Sequence, residues 1–186
     1  IRVSPVDPKK LYIAGVPIIK SSDGGATWKG INPGNVHVDH HALWINPTNP
    51  NHLINGSDGG VQISYDDGAT YVNCNSPAVG QFYTVQVDDA KPYNIYGGLQ
   101  DNGVWYASSR TKPNENWRIT GHNDFEEIMG GDGMQVMVDT RDNNTLYTGY
   151  QFGNYARVKL QEEDYMDLSV RHTLGERPLR WNWQTP

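Results

Sequence analysis

Hydrophobic positions along this chain alternate with polar ones over short stretches, the period-two pattern of strands rather than the 3.6 period of amphipathic helices. The clearest run reads as four strands, His41–Asn46, Leu53–Ser57, Gly60–Tyr65 and Thr70–Cys74. Between them stand turn-forming clusters, Asn-Pro-Thr-Asn-Pro-Asn, Ser-Asp-Gly-Gly and Asp-Asp-Gly. In these Pro fixes φ, while Gly and Asn tolerate positive φ. Short alternating strands joined by tight turns predict antiparallel sheets. The best helix candidate, Glu162–Leu168, is short and acidic.

The pattern recurs. Val3-Ser-Pro-Val-Asp-Pro-Lys-Lys-Leu-Tyr12 returns 42 residues on as Ile45-Asn-Pro-Thr-Asn-Pro-Asn-His-Leu-Ile54, with Pro5/Pro47, Pro8/Pro50 and Leu11/Leu53 in register. A third copy runs from Val87 to Tyr96 and a fourth from Val138 to Tyr147, the longer gap before the fourth reflecting an insertion around Pro113 to Asp124. Four antiparallel strands in a repeat of about 43 residues is the period of a propeller blade. The expected fold is all-β: a β-propeller fragment of about four four-stranded blades. Their expected bounds are 1–36 (incomplete), 37–78, 79–130 and 131–179, with 180–186 starting another. An open run of blades leaves two sheet faces to water, a large apolar liability, so the remaining blades of a longer chain are expected partners. The chain opens at Ile1 and not at Met, which adds the expectation of an upstream segment.

Composition narrows the function classes. Hydrophobic residues make up 37% and charged residues 19%, the balance of a folded domain, and 20 Gly, 11 Tyr and 6 Trp suit strands and turns. A formal net charge of −6 argues against a nucleic-acid backbone or an anionic membrane as main partner. No stretch approaches the ~18 apolar residues of a membrane span. The single Cys74 excludes an intrachain disulfide framework and reads as a small buried hydrophobe.

Ser21-x-Asp23-x-Gly25-x-Thr27-Trp28 and Ser64-x-Asp66-x-Gly68-x-Thr70-Tyr71 match the Asp-box pattern at equivalent repeat positions. The chemistry suits a hairpin turn: a carboxylate that accepts N–H groups across the loop, a Gly for φ > 0, and an aromatic ring packed between strands. These residues therefore speak for architecture, not catalysis.

With His37-Val-Asp-His-His-Ala-Leu-Trp-Ile-Asn-Pro47, Asn55-Gly-Ser-Asp-Gly-Gly-Val61, Val79-Gly-Gln-Phe-Tyr83, Gly97-Gly-Leu-Gln-Asp-Asn-Gly-Val-Trp105 and Gly130-Gly-Asp-Gly133, the chain resembles bacterial BNR/Asp-box repeat propellers labelled as glycosyl hydrolases. That superfamily includes the sortilin ectodomain and xyloglucan-degrading glycoside hydrolases. The resemblance implies an exported protein, secreted, periplasmic or at the cell surface, that hydrolyses or binds an extracellular polysaccharide. Its alternative is a sortilin-like protein-interaction scaffold without catalytic activity. In the xyloglucan-degrading members a catalytic Asp follows a blade's second strand. Asp58 and Asp101 occupy the corresponding repeat position here, in altered surroundings, and Asp132 lies between glycines at the entry to the fourth blade. These three are the candidate catalytic carboxyls, with turn chemistry as the structural alternative.

His37, Asp39 and His41 form the other candidate. If residues 37 to 41 are extended, these three share one face, a ligand set for a divalent metal, an acid–base group or a hydrogen-bonded lining. Tyr65, Trp105, Tyr106, Trp117, Trp181 and Trp183 are candidate sugar-stacking rings or packing between blades.

Overall fold

The computed structural model describes residues 1–74 and 80–185. The blade boundary expected at 78/79, the Val79 that opens one of the blocks above, and Pro186 lie outside them. Among the described residues sixteen strands form four sheets, each antiparallel with neighbouring strands in chain order. The first sheet holds β1 (Arg2–Val3), β2 (Leu11–Ala14), β3 (Ile18–Ser21) and β4 (Lys29–Gly30). The second holds β5 (His40–Ile45), β6 (Leu53–Ser57), β7 (Gly60–Ser64) and β8 (Val72–Asn73). The third holds β9 (Phe82–Val87), β10 (Asn94–Leu99), β11 (Val104–Ser108) and β12 (Glu126–Met129), and the fourth β13 (Gln135–Val138), β14 (Thr145–Tyr150), β15 (Asn154–Lys159) and β16 (Asp164–Asp167). One short helix, α1 (Trp117–Thr120), stands among them. The fold is all-β, a propeller fragment of about four blades. Glu162–Leu168 is not helical, since β16 occupies it.

The repeat is visible in the register. Val3 pairs with Leu11, Ile45 with Leu53, Val87 with Ile95 and Val138 with Leu146, each the last residue of a sheet's first strand. The next residue is Ser4, Asn46, Asp88 or Asp139. Its N–H donates to the carbonyl six residues on, at 2.9, 3.0, 3.3 and 2.8 Å, respectively. Its side-chain oxygen accepts the N–H two residues on, at 3.4, 2.9, 3.1 and 3.0 Å. A short polar side chain at this point closes the connection between first and second strands, because it satisfies a backbone donor that the ladder leaves open.

The two Ser-x-Asp-x-Gly-x-Thr turns are near copies. Ser21 Oγ donates to Asp23 Oδ1 at 2.8 Å and accepts the Gly25 N–H at 2.9 Å, while the Thr27 N–H and hydroxyl donate to the carboxylate at 2.9 and 2.6 Å. Ser64, Asp66, Gly68 and Thr70 repeat this at 2.8, 2.8, 2.8 and 2.6 Å. The Thr hydroxyl and N–H hold both Asp carboxyls at about 2, below the usual 3.8. A depressed carboxyl adds stability that is present above its unfolded value and lost as pH falls towards 2. Asp66→Ala is expected to lower the melting temperature by about 3–6 °C near neutral pH, with a smaller deficit below pH 3. An unchanged melting curve by circular dichroism would contradict this structural role.

The turns differ at the residue before the conserved Gly. Gly24 takes φ +79° in the first, and Asp67 takes φ +64° in the second. Asp67 accepts hydrogen bonds from Lys20 (2.9 Å) and the Tyr12 hydroxyl and pairs with Lys10 at 2.5 Å. Burial alone would raise this carboxyl, but Lys10, Tyr12 and Lys20 outweigh it and hold it below the usual range. The second sheet is thereby clamped to the first, which offsets the cost of a non-Gly residue at positive φ.

The chain divides into two compact units, Ile1–Ala78 with Pro113–Asn123, and Val79–Lys112 with Asp124–Pro186. In the first unit Tyr12 and Ile18 of sheet one pack with Leu43 and Leu53 of sheet two, joined by Ile31. The inserted segment joins this unit through Asn35, whose Nδ2 donates to the carbonyls of Ile119 (2.8 Å) and Tyr71 (3.2 Å). In the second unit Tyr96 and Val104 of sheet three pack with Val136 and Leu146 of sheet four. Cys74 is exposed, contrary to the buried position expected for it: its thiol lies against the Val72 carbonyl beyond the end of β8. Residues 180–185, expected to begin another blade, carry no strand. They lie on the fourth sheet, with Trp183 edge-on to Phe152 at 5.2 Å and the Tyr155 hydroxyl donating to the Thr185 carbonyl.

Candidate functional site

In the first unit the candidate residues surround the turn between β6 and β7. Asp39 has φ +61°, so the extended run from 37 to 41 is broken at its centre and β5 begins only at His40. His40 pairs with Ser57 and Ala42 with Gly56, which leaves His41 as a bulge. A bulge re-aims its side chain. The His41 Nε2–H donates to Asp58 Oδ1 at 2.7 Å, and the imidazole is 71% exposed. His37 turns elsewhere, its Nδ1 against its neighbour Val38's carbonyl and its Cβ over Gly59. A Cβ on Gly59 would stand 2.3 Å from that of His37, so only glycine fits beneath it. The structure therefore does not gather His37, Asp39 and His41 on one face. Among the described residues no three His, Cys, Asp or Glu side chains lie close enough to hold a metal ion.

His40, which an extended run would turn to the other side from His37, Asp39 and His41, is the buried member of the run. Its Nδ1 meets Asn55 Oδ1 at 3.0 Å and its Nε2 meets Asn32 Oδ1. Asn55 Nδ2 donates to Gln62 Oε1 at 2.9 Å, while Gln62 Nε2 is buried without a partner. A half-turn of both amides lets Asn55 Nδ2 donate to His40 Nδ1 and Gln62 Nε2 donate to Asn55 Oδ1. Neutral His40, protonated at Nε2, then donates to Asn32 Oδ1, and the group left without a partner is the Gln62 carbonyl oxygen in place of its NH2. Burial lowers the His40 pKa in the same direction.

In the second unit Asp101 and Asp132 do come together, through backbone. Asp101, at φ +60°, sits in the β10–β11 turn and donates its N–H to Asp132 Oδ1 at 3.0 Å. Asp132 is 3% exposed, and its own N–H donates to Gln151 Oε1 at 2.9 Å. Beside it the Gly133 N–H donates to the Leu99 carbonyl at 2.9 Å and the Gly103 N–H to the Gly131 carbonyl at 2.8 Å. Asp132 thus acts as a backbone acceptor that sews the entry of sheet four to the turn of sheet three. A glycosidase acid must reach the scissile oxygen, and this buried carboxyl is occupied by an N–H.

The aromatic candidates separate by surroundings. Tyr106 stacks on Tyr96 at 5.6 Å and packs against the core of the second unit. Trp105 Nε1 donates to the Asn102 carbonyl at 2.5 Å, Trp117 lies under the Arg118 guanidinium, and Trp181 covers Gly153. Tyr65 is 64% exposed and stacks on His52 at 4.6 Å, which meets Trp44 edge-on at 5.6 Å. Trp44 and His52 were not singled out from the sequence, although Trp44 alternates outward along β5. Trp44 also borders a groove of about 520 Å³ with Arg2, Val3, Pro5, Ile54 and Val61.

No family model matches the chain, and no curated protein matches it in sequence. Solved structures with a similar fold include a GH74 xyloglucanase from Xanthomonas campestris, at 13% identity and TM-score 0.33 over 89% of this chain and 29% of that one. YCF48 bound to a D1 peptide matches at 12% identity and TM-score 0.32, over 88% of this chain and 50% of that one. The dihydro-heme d1 dehydrogenase NirN matches at 8% identity and TM-score 0.34, over 91% and 36%. The chain spans between about a quarter and somewhat over half of the length of the structures it resembles. No helix among the described residues is long and apolar enough to cross a membrane.

Proposed function

We propose that this chain is part of an exported Asp-box propeller of the sortilin-like kind, serving as a non-catalytic scaffold that binds a protein or peptide partner. The observation that carries this reading is the use made of Asp132 and its neighbours. Asp132 is buried and holds the Asp101 N–H, and Asp58 is engaged by an exposed His41. Hydrolysis of a glycoside asks for two carboxyls reaching one bond from either side, one protonated and one ionised. Groups committed to backbone and to a surface ion pair suit architecture better. Export rests on the Asp-box resemblance.

One observation favours glycan binding as a second reading. The row Trp44, His52 and Tyr65 presents the rings of Trp44 and Tyr65 to solvent, with the Asn46 side-chain amide against His52 at 3.2 Å. Flat apolar rings flanked by hydrogen-bonding amides suit the face and hydroxyls of a sugar. A hydrolysis screen and a glycan array run on the protein, with Asp58→Asn and Asp101→Asn alongside, separate the readings. The expected result is no released sugar from any of the three, with a protein partner recovered by pull-down. Sugar release abolished by either substitution would reject the scaffold reading, and array binding lost in Tyr65→Ala would favour the glycan one.

A further inference from the structure

In the second unit the turns between the second and third strands of sheets three and four are built alike. Asp101 and Phe152 hold the same repeat position, each six residues beyond the Ile95 and Leu146 that pair with Val87 and Val138. A Gln precedes both, and both take positive φ, +60° and +64°. Asp tolerates this conformation, whereas a bulky aromatic residue rarely adopts it. Sheet three shows that a short polar residue satisfies the turn, so the fold itself does not call for a ring in sheet four. Conflicts of this kind between local preference and backbone gather at functional positions.

The ring is held out towards solvent. Phe152 is 48% exposed and meets Trp183, 49% exposed, edge-on at 5.2 Å. The Phe152 N–H donates to the Trp183 carbonyl at 3.1 Å, and Trp181 lies so close over Gly153 that a Cβ there would stand 2.6 Å from its ring. Turn and rings are thereby fixed to each other, which leaves little freedom to lose on binding. Arg177 and Arg180, on the segment that carries these tryptophans, are exposed. Arg141, Arg157 and Arg171 each have a carboxylate partner, but neither Arg177 nor Arg180 forms an ion pair among the described residues.

We propose, on the scaffold reading above, that Phe152 and Trp183 form an anchor site for a peptide segment that carries one large apolar side chain between acidic residues. The rings take the apolar side chain, and Arg180, next to Trp181, and Arg177 take the carboxylates. Charge selects this occupant. Two guanidiniums without carboxylate partners stand out in a chain of net charge −6, and they have nothing to neutralise on an uncharged sugar. Rigid aromatic rings with arginine beside them are the residue types on which protein interfaces concentrate their binding energy.

Fluorescence anisotropy with a labelled peptide, Gly-Asp-Glu-Leu-Glu-Asp-Gly, provides the test. The protein should bind it, and exchanging the Leu for Ser or the acidic residues for Lys should weaken binding at least about tenfold. Phe152→Asn should also bind at least about tenfold more weakly, yet melt at or above the wild-type temperature, because Asn suits the positive φ. Arg180→Glu should weaken binding at low salt, with a smaller effect at high salt. A ring that only staples the chain would behave the other way. Phe152→Asn would then melt lower and bind the peptide as wild type does, which would overturn the proposal. So would a wild-type protein that ignores the peptide, or a β-glucan oligosaccharide that displaces it and gives the rings to a sugar. A pull-down partner that Phe152→Asn still retains would overturn the anchor site and keep the scaffold reading.

Discussion

Gly133→Ala is expected to cost the second unit about 3–5 kcal/mol, enough to lower its melting temperature by roughly 10 °C or more. A Cβ on Gly133 would stand 2.3 Å from the Gly103 carbonyl oxygen and 2.7 Å from the Gly98 Cα. The reciprocal change, Gly98→Ala, would set its Cβ 2.1 Å from the Gly133 carbonyl oxygen. Both obstacles are backbone, so no rotamer change relieves them. The strand entry would have to move away from the turn, breaking the bonds from Gly133 to Leu99, Gly103 to Gly131 and Asp101 to Asp132. Gly130→Ala is the control, because its Cβ would meet only Glu127 Oε1 at an ordinary 3.7 Å. Urea unfolding of the three variants gives the comparison. Gly98→Ala and Gly133→Ala melting with Gly130→Ala would show that the close approach is not needed.

That close approach marks a limit of sequence reading. Gly-Gly-Asp-Gly was legible as a place of tight backbone and as a candidate acid site, and both readings are local. Whether Asp132 faces a ligand or an N–H depends on a turn 31 residues away, and nothing in the spacing encodes it. The strands were legible because short alternating runs recur between turn residues, with Leu11-Tyr12, Leu53-Ile54, Ile95-Tyr96 and Leu146-Tyr147 at one repeat position. The metal face failed for a different reason. Period-two counting assumes unbroken extended backbone, and Asp39 at positive φ followed by a bulge at His41 breaks it twice. The polar residue after each Val or Ile, Ser4, Asn46, Asp88 and Asp139, was within reach of the sequence. Four short oxygen-bearing side chains at one repeat position are the signature of a closed turn.

The remaining large effect belongs to His40. Replacing it with Ala should cost about 2–4 kcal/mol at pH 7.5, from the cavity and from the Asn32 and Asn55 amides left without their partner. The cost should also depend on pH. His40 is buried, and burial holds its pKa below the usual 6.5. Asn55 and Asp39 pull it up, and the neighbouring His37 and His41 push it down. A histidine whose folded pKa is depressed contributes stability that is full above its unfolded value and is lost as pH falls through the folded one. Wild-type stability should therefore begin to decline below about pH 6.5, well before the turn carboxylates of Asp23 and Asp66 lose their bonds towards pH 2. His40→Ala lacks this first step, so the stability gap between wild type and variant should narrow between pH 7 and 5. Urea midpoints at half-unit pH intervals measure the gap, and a gap constant over that range would mean that His40 does not change its protonation on unfolding.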